Sequence, residues 1–186
     1  MTRAAALAFG LALAAAPAFA SPLNADPFTD GADGAKVHAS GFVCPAKIAD
    51  FERDAIGISD VDTGTAFCVY SALDGVYGTI KITALSGDYD AKISFAGDFA
   101  EQEKTGGKQV GEQTVTAGAK ALAVFTRTYQ TATLEDLHYY VEFSGAAVNG
   151  WAVEATIEYA SPRNDAEARA FLDAVYSGAE ARIAAK

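Results

Sequence analysis

Basic residues, histidine and cysteine are all scarce in this chain, and each scarcity narrows what it does. The 14 Lys and Arg stand against 24 Asp and Glu, a formal net charge of −10. Such a surface repels phosphate backbones, which argues against nucleic-acid binding, and it repels anionic lipid headgroups equally. Acidity of this kind also favours solubility. The two histidines, His38 and His138, fall in no recognisable catalytic motif, and the two cysteines, Cys44 and Cys68, form no CxxC. A thioredoxin-type redox site and the usual zinc sites are therefore not suggested. Nucleophile elbow, P-loop, dinucleotide fingerprint and HExxH are missing too. Paired carboxylates for glycoside chemistry stay open, because their spacing is spatial and not sequential. Beyond the first 20 residues no apolar run approaches the roughly 20 residues a spanning helix needs, so no transmembrane segment is expected in the mature chain. No cofactor is expected.

What is present begins with MTRAAALAFGLALAAAPAFA. One early cation (Arg3), a short apolar run and Ala18-Phe19-Ala20 ahead of Ser21 read as an export signal, residues 1–20, removed before folding. Its loss takes the net charge to −11 over 166 remaining residues, enough for one domain with a proper core. The protein is expected to be periplasmic or secreted. In that oxidising setting Cys44 and Cys68 are expected to pair, closing a loop of about 25 residues worth roughly 3 kcal/mol. Two free buried thiols, or one reactive thiol with a nearby base, are the alternatives.

Residues 21–40 are rich in Pro, Gly, Ala, Asp and Ser and read as an extended or poorly ordered leader. Residues 41–186 read as one domain. Strands are expected over 50–58, 65–73 and 76–85, with Asp74-Gly75 turning the second hairpin. Residues 88–104 change to helical period, Asp88 as cap, Gly106-Gly107 as stop, and Tyr89, Ile93, Ala96 and Ala100 on one face beside Phe99. Further strands are expected over 108–116, 120–131, 137–145 and 150–160, the last two joined by the turn Asn149-Gly150. A closing helix starts at Asn164, with Glu167 as capping-box partner and Phe171, Leu172, Val175, Ala179 and Ile183 as its stripe; Gly178 is a point where it ends or kinks. This order is an α+β fold, an antiparallel β-sheet flanked by helices. Alternation in the last strands puts Phe125, Tyr129, Tyr139, Val141, Phe143, Trp151 and Val153 on one common core face.

The run CPAKIADFER, then CVYS, then GVYGTIKI, and the closing WAVEATIEY and AEARAFLDAVY make a pattern of packing residues across 44–177. It resembles a group of uncharacterised exported bacterial proteins and, more remotely, the PsbP-like fold shared by photosystem extrinsic proteins and a nuclear-transport accessory factor. The resemblance implies an α/β/α sandwich and an accessory or binding role, and it transfers no functional residue. The Cys44–Cys68 pair is not implied by it and rests on the compartment.

Several constellations carry chemistry. Arg127 is in phase with Phe125 and Tyr129, so Arg127, Tyr129 and Tyr139 are candidate ligand-binding residues: a guanidinium fork for a carboxylate or phosphate in an aromatic cleft, or else a structural ion pair. Asp60 and Asp62 in DVDTG are a candidate cation site, incomplete because Ser71 holds the twelfth place from Asp60 where an EF-hand has glutamate. His138, Tyr140 and Glu142 share a strand face that Glu154 and Glu158 can join, a place for titration or metal binding. The function expected from these residues is a non-catalytic accessory protein binding a protein partner or small ligand. The alternatives are a hydrolase-type enzyme with a scattered site such as His138 and Glu142, and a structural envelope component.

Overall fold

The structure, a computed structural model, describes residues 27–60, 65–117 and 120–183. The expected export signal, residues 1–20, and residues 21–26 of the expected leader lie outside the described residues.

Of the expected extended or poorly ordered leader, residues 21–40, the described part carries strands. Strands β1 (Phe28–Asp30), β2 (Lys36–His38) and β3 (Val43–Cys44) form a small antiparallel sheet. Each is two or three residues long, too short to show a period, and aromatic contacts hold the sheet down. The His38 ring lies 5.4 Å from Phe28 and 5.2 Å from Trp151.

The main sheet contains β4 (Lys47–Ile48), β5 (Phe51–Asp60), β6 (Thr65–Ala72), β7 (Val76–Ala84), β8 (Lys108–Ala117), β9 (Leu122–Leu134), β10 (Leu137–Val148) and β11 (Trp151–Ser161). Their order is β4-β5-β6-β7-β11-β10-β9-β8, and neighbours run antiparallel. The chain fills one half from the edge inward and crosses to the far edge through α1 (Ala91–Ser94) and α2 (Ala96–Lys104). It then returns to the centre, where β11 lies against β7. Helix α3 (Asp165–Arg182) follows.

Helices cover both faces. In β10 the neighbours Phe143 and Ser144 point to opposite sides, as successive strand residues must. Phe143 packs on Phe95 and Phe99 at the α1–α2 side, and Ser144 Oγ accepts a hydrogen bond from the Tyr176 hydroxyl of α3 at 2.9 Å. The larger core lies under α3, where Phe171, Leu172, Val175 and Ala179 meet Tyr70, Ile80, Val153 and Ile157. Burying each of the larger side chains contributes about 1.5–3 kcal/mol. A smaller core under α1 and α2 joins Phe95, Phe99, Tyr129, Val141 and Phe143. Two glycines mark how closely these layers approach. A Cβ on Gly78 would lie 2.5 Å from the Phe171 ring, and one on Gly145 would lie 2.2 Å from the Tyr89 hydroxyl.

The common core face expected for the last strands is split between these two cores. Tyr129, Val141 and Phe143 belong to the α1–α2 side, whereas Val153 and Trp151 pack on the α3 side. The cause is the two-residue turn. Asn149 and Gly150 both have positive φ, and Val148 pairs with Trp151, so odd-numbered residues of β10 face even-numbered ones of β11.

The expected helix over 88–104 is two helices joined at Phe95, whose φ of −90° and ψ of 7° leave the helical range. Asp90, not Asp88, caps the first, its carboxylate accepting from the Lys92 N–H at 2.8 Å. The buried face is Ala91, Phe95 and Phe99, while Ile93 is 75% exposed. The four-residue spacing of two phenylalanines that dock on Phe143 outweighs the alanine stripe. Helix α3 runs through Gly178 without a break.

Cys44 and Cys68 form a disulfide that ties β3 of the small sheet to β6 of the large one, with Cα atoms 6.3 Å apart. Arg53 adds polar ties there, donating to the Cys44 and Gly34 carbonyls. Among the described residues no helix is long and apolar enough to cross a membrane.

Candidate functional site

Arg127 and Tyr129 do come together, on the α1–α2 face, as part of a filled network. The Arg127 guanidinium lies 3.9 Å from the centre of the Phe99 ring. Its Nε and one Nη donate to Glu112 at 2.9 and 2.5 Å, and the other Nη donates to the Tyr129 hydroxyl at 3.5 Å. That hydroxyl donates to Glu103, and Lys92 pairs with Glu112 from the other side. These hydrogen bonds, from Lys92 first and then Arg127, hold the Glu112 carboxyl below its ordinary value. The fork is thus engaged by a carboxylate of the same protein. Tyr139 stands on this face beyond a bulge in the β9–β10 register, half-buried. Of the candidate cation pair, Asp62 and the side chain of Asp60 lie outside the described residues.

The line of His138, Tyr140 and Glu142 faces the α3 side of β10, but neither Glu154 nor Glu158 joins it. Glu154 pairs with Gly145 and Glu158 with Val141, which puts both on the opposite face. There Glu154, 2% exposed, accepts from the Tyr89 hydroxyl at 3.0 Å and meets the Lys81 ammonium at 2.5 Å. Both of its oxygens are engaged, and the group is a buried structural ion pair. His138 is exposed, its Nδ1 shared with Gln130 and Thr133. Glu142 is buried, bonded by the Thr128 hydroxyl at 3.3 Å. Burial raises its carboxyl above the ordinary range, while Arg169 and Thr128 pull the other way. Farther along the strand, Ser144, Thr126, Arg169, Asp173 and Tyr176 line a small cavity of about 130 Å³ beside α3.

The other histidine, His38, is buried and structural. His38 Nδ1 accepts the Ser40 backbone N–H at 3.1 Å and contacts the Ser40 hydroxyl at 2.8 Å; burial lowers its pKa to about 4, so the ring is neutral.

A larger concave surface, a cleft of about 540 Å³, opens at the head of α3. Three parts of the chain build it. The β4–β5 turn and β5 supply Asp50, Glu52 and Asp54, all exposed. The end of β6 supplies Ser71, Ala72 and Leu73. The start of α3 supplies Asn164 and Glu167. They meet because Glu52 pairs with Ser71 across the β5–β6 ladder and β11 delivers α3 over the same end of the sheet. Lys47 is the only cation in the lining, against four carboxylates.

Two residues that line this cleft each carry an oxygen sealed from solvent. The sequence pairs Asn164 and Glu167 as a capping box, but that box does not form. The Asn164 side chain makes no cap bond; the Asn164 backbone N–H donates to the Ala160 carbonyl at 2.7 Å. Asn164 Oδ1 and Glu167 Oε2 are both buried and have no hydrogen-bond partner among the described residues. Asn164 itself is only 4% exposed. The bare capping pattern was visible in the sequence. Its failure, and the meeting with Asp50, Glu52 and Asp54 from more than a hundred residues away, had no signal there.

No family model matches the chain, and no curated protein is significantly similar to it.

Proposed function

We propose that this chain is an exported, non-catalytic accessory protein that binds a small ligand or a partner in the periplasm, on an α/β/α sandwich of the PsbP-like kind. Helices on both faces of an antiparallel sheet fit that architecture, and the Cys44–Cys68 disulfide fits an oxidising compartment. The observation that supports binding most directly is the acidic cleft at the head of α3. Its volume falls within the range of about 300–1,000 Å³ common for small-molecule sites. Native mass spectrometry of protein purified gently from an exported preparation tests the reading. A retained small molecule is expected, lost from a Glu167→Gln variant. A bare mass at every ligand concentration tried, including added cations, contradicts the small ligand and leaves a protein partner.

A second reading, a hydrolase-type enzyme, is favoured by one observation: the buried Glu142 carboxyl, raised by burial, near a cavity lined by Ser144, Arg169 and Tyr176. Carboxyls shifted this way serve as general acids. Screening the protein and its Glu142→Gln variant on ester, glycoside and phosphoester substrates decides it. Turnover that disappears in the variant supports the enzyme; no turnover in either leaves binding as the function.

A further inference from the structure

We propose that the small cavity between α3 and the β8–β10 part of the sheet binds a free α-amino acid with a short apolar side chain, its carboxylate on Arg169 and its ammonium on Asp173. This is a second site, and it does not rest on the acidic cleft. The period of α3 builds one wall. Arg169, Leu172, Asp173 and Tyr176 stand at i, i+3, i+4 and i+7, on one side of the helix. Leu172 and Tyr176 are buried, whereas Arg169 and Asp173 are exposed, so the charged pair stands at the mouth. The sheet builds the other wall. Val115 pairs with Val124 and Thr126 with Ser144, and all four lie on the face that α3 covers. The Glu180 carboxylate accepts the Lys120 backbone N–H at 2.8 Å, which holds the β8–β9 connection against α3.

The interior suits hydrocarbon. Its hydroxyls are already engaged: Tyr176 donates to Ser144, Ser144 to the Ala155 carbonyl at 3.2 Å, and Thr126 to the Gln113 carbonyl at 3.4 Å. An apolar group lying among Val115, Val124 and Leu172 therefore leaves none of them unpaired. A dry cavity of about 150 Å³ admits a benzene ring, so this one, of about 130 Å³, has room for a side chain of the size of valine's or leucine's. The mouth suits one charge of each sign. Among the described residues neither Arg169 nor Asp173 makes an ion pair or a hydrogen bond, with the other or elsewhere. Arg169 lies in the field of the buried Glu142, two residues from Ser144 on the same strand face, without pairing to it. Helix positions four apart hold their Cβ atoms about 5–6 Å from each other. An α-carboxylate and an α-ammonium, joined through one carbon, reach both, and the guanidinium fork matches the carboxylate. A simple acid or a simple amine leaves one of the two charges unmet.

Isothermal titration calorimetry of the purified protein tests the assignment. The probes are L-valine, L-leucine, 4-methylpentanoate (leucine without its ammonium) and 3-methylbutylamine (leucine without its carboxylate). Saturable one-to-one binding of L-valine or L-leucine is expected, roughly tenfold or more tighter than either half-molecule. Arg169→Gln and Asp173→Asn should each weaken it roughly tenfold or more. Both side chains are exposed, so neither variant should move the unfolding midpoint appreciably, which separates lost binding from lost folding. Glu167→Gln, in the acidic cleft, should leave amino-acid binding unchanged. A half-molecule that binds as tightly as the amino acid overturns the ligand class. Amino-acid binding that ignores Arg169 and Asp173, or that is lost with Glu167, overturns the site. No binding of any probe at millimolar concentration overturns the proposal. None of these results bears on the cleft, whose own ligand is the one lost from Glu167→Gln.

Discussion

Asn164 and Glu167 stand three residues apart at the head of α3, placed for a reciprocal cap, and each instead holds a buried oxygen with no partner among the described residues. An unmet buried acceptor costs about 1–3 kcal/mol. Replacing Glu167 by Gln removes a charge and adds two N–H donors. The free protein is therefore expected to become more stable by about 1 kcal/mol, a rise of roughly 2–4 °C in Tm for a domain of this size. Calorimetry of the variant without ligand checks this.

The disulfide between Cys44 and Cys68 closes a loop with a sequence separation of 24. The chain-entropy relation gives about 3 kcal/mol for a loop of that length. Urea unfolding of the double Cys→Ala variant should show a loss of that order, and adding reductant to the native protein should move its midpoint towards the variant's.

Gly78 is required by contact with Phe171, not by conformation. Gly78→Ala puts a Cβ about 2.5 Å from a fully buried ring. Overpacking of this kind costs about 1–3 kcal/mol. Gly178 is the opposite case, since nothing lies within 4 Å of its Cβ position inside α3. Gly178→Ala should stabilise by about 0.5–1 kcal/mol through helix propensity. Denaturant titrations of the pair should move in opposite directions.

The pH dependence has a defined sign. His38 titrates at about 4 in the folded protein against about 6.5 unfolded, so the unfolded chain binds more protons between those values. Stability should fall as pH drops from about 6.5 through about 4, by roughly 3 kcal/mol in total from this residue. The lowered Glu112 carboxyl adds a loss on further acidification, while the raised Glu142 and Asp98 carboxyls oppose it. His38→Gln should flatten the part between pH 6.5 and 4, measured by chemical denaturation across that range.

Much of the architecture was legible in residues 50–183, because the strands there are long enough for a period of two to repeat and Asn149-Gly150 names its own turn. The α3 stripe of Phe171, Leu172, Val175 and Ala179 was legible because a helix of 18 residues repeats the 3.6-residue period several times. What was not legible depended on register or on contacts distant in sequence. The parity flip at Asn149-Gly150 separated Val153 from Phe143. The docking of Phe95 and Phe99 broke one expected helix into two, and the two- and three-residue strands at 28–44 were too short to read. At the site level, the sequence picked out Arg127 and Tyr129 as neighbours but had no means of seeing Glu112 arrive from β8. The acidic cleft was hidden altogether, since Glu52 and Asn164 are brought together only by the order of strands in the sheet.

The most direct test is a titration of the 15N-labelled protein with the small molecule retained on native mass spectrometry, followed residue by residue in 1H–15N correlation spectra. The account predicts saturable shifts confined to Glu52, Asp54, Ser71, Leu73, Asn164 and Glu167. Shifts spread over all acidic surfaces, shifts centred on Arg127 and Tyr129, or no shifts at all would contradict it.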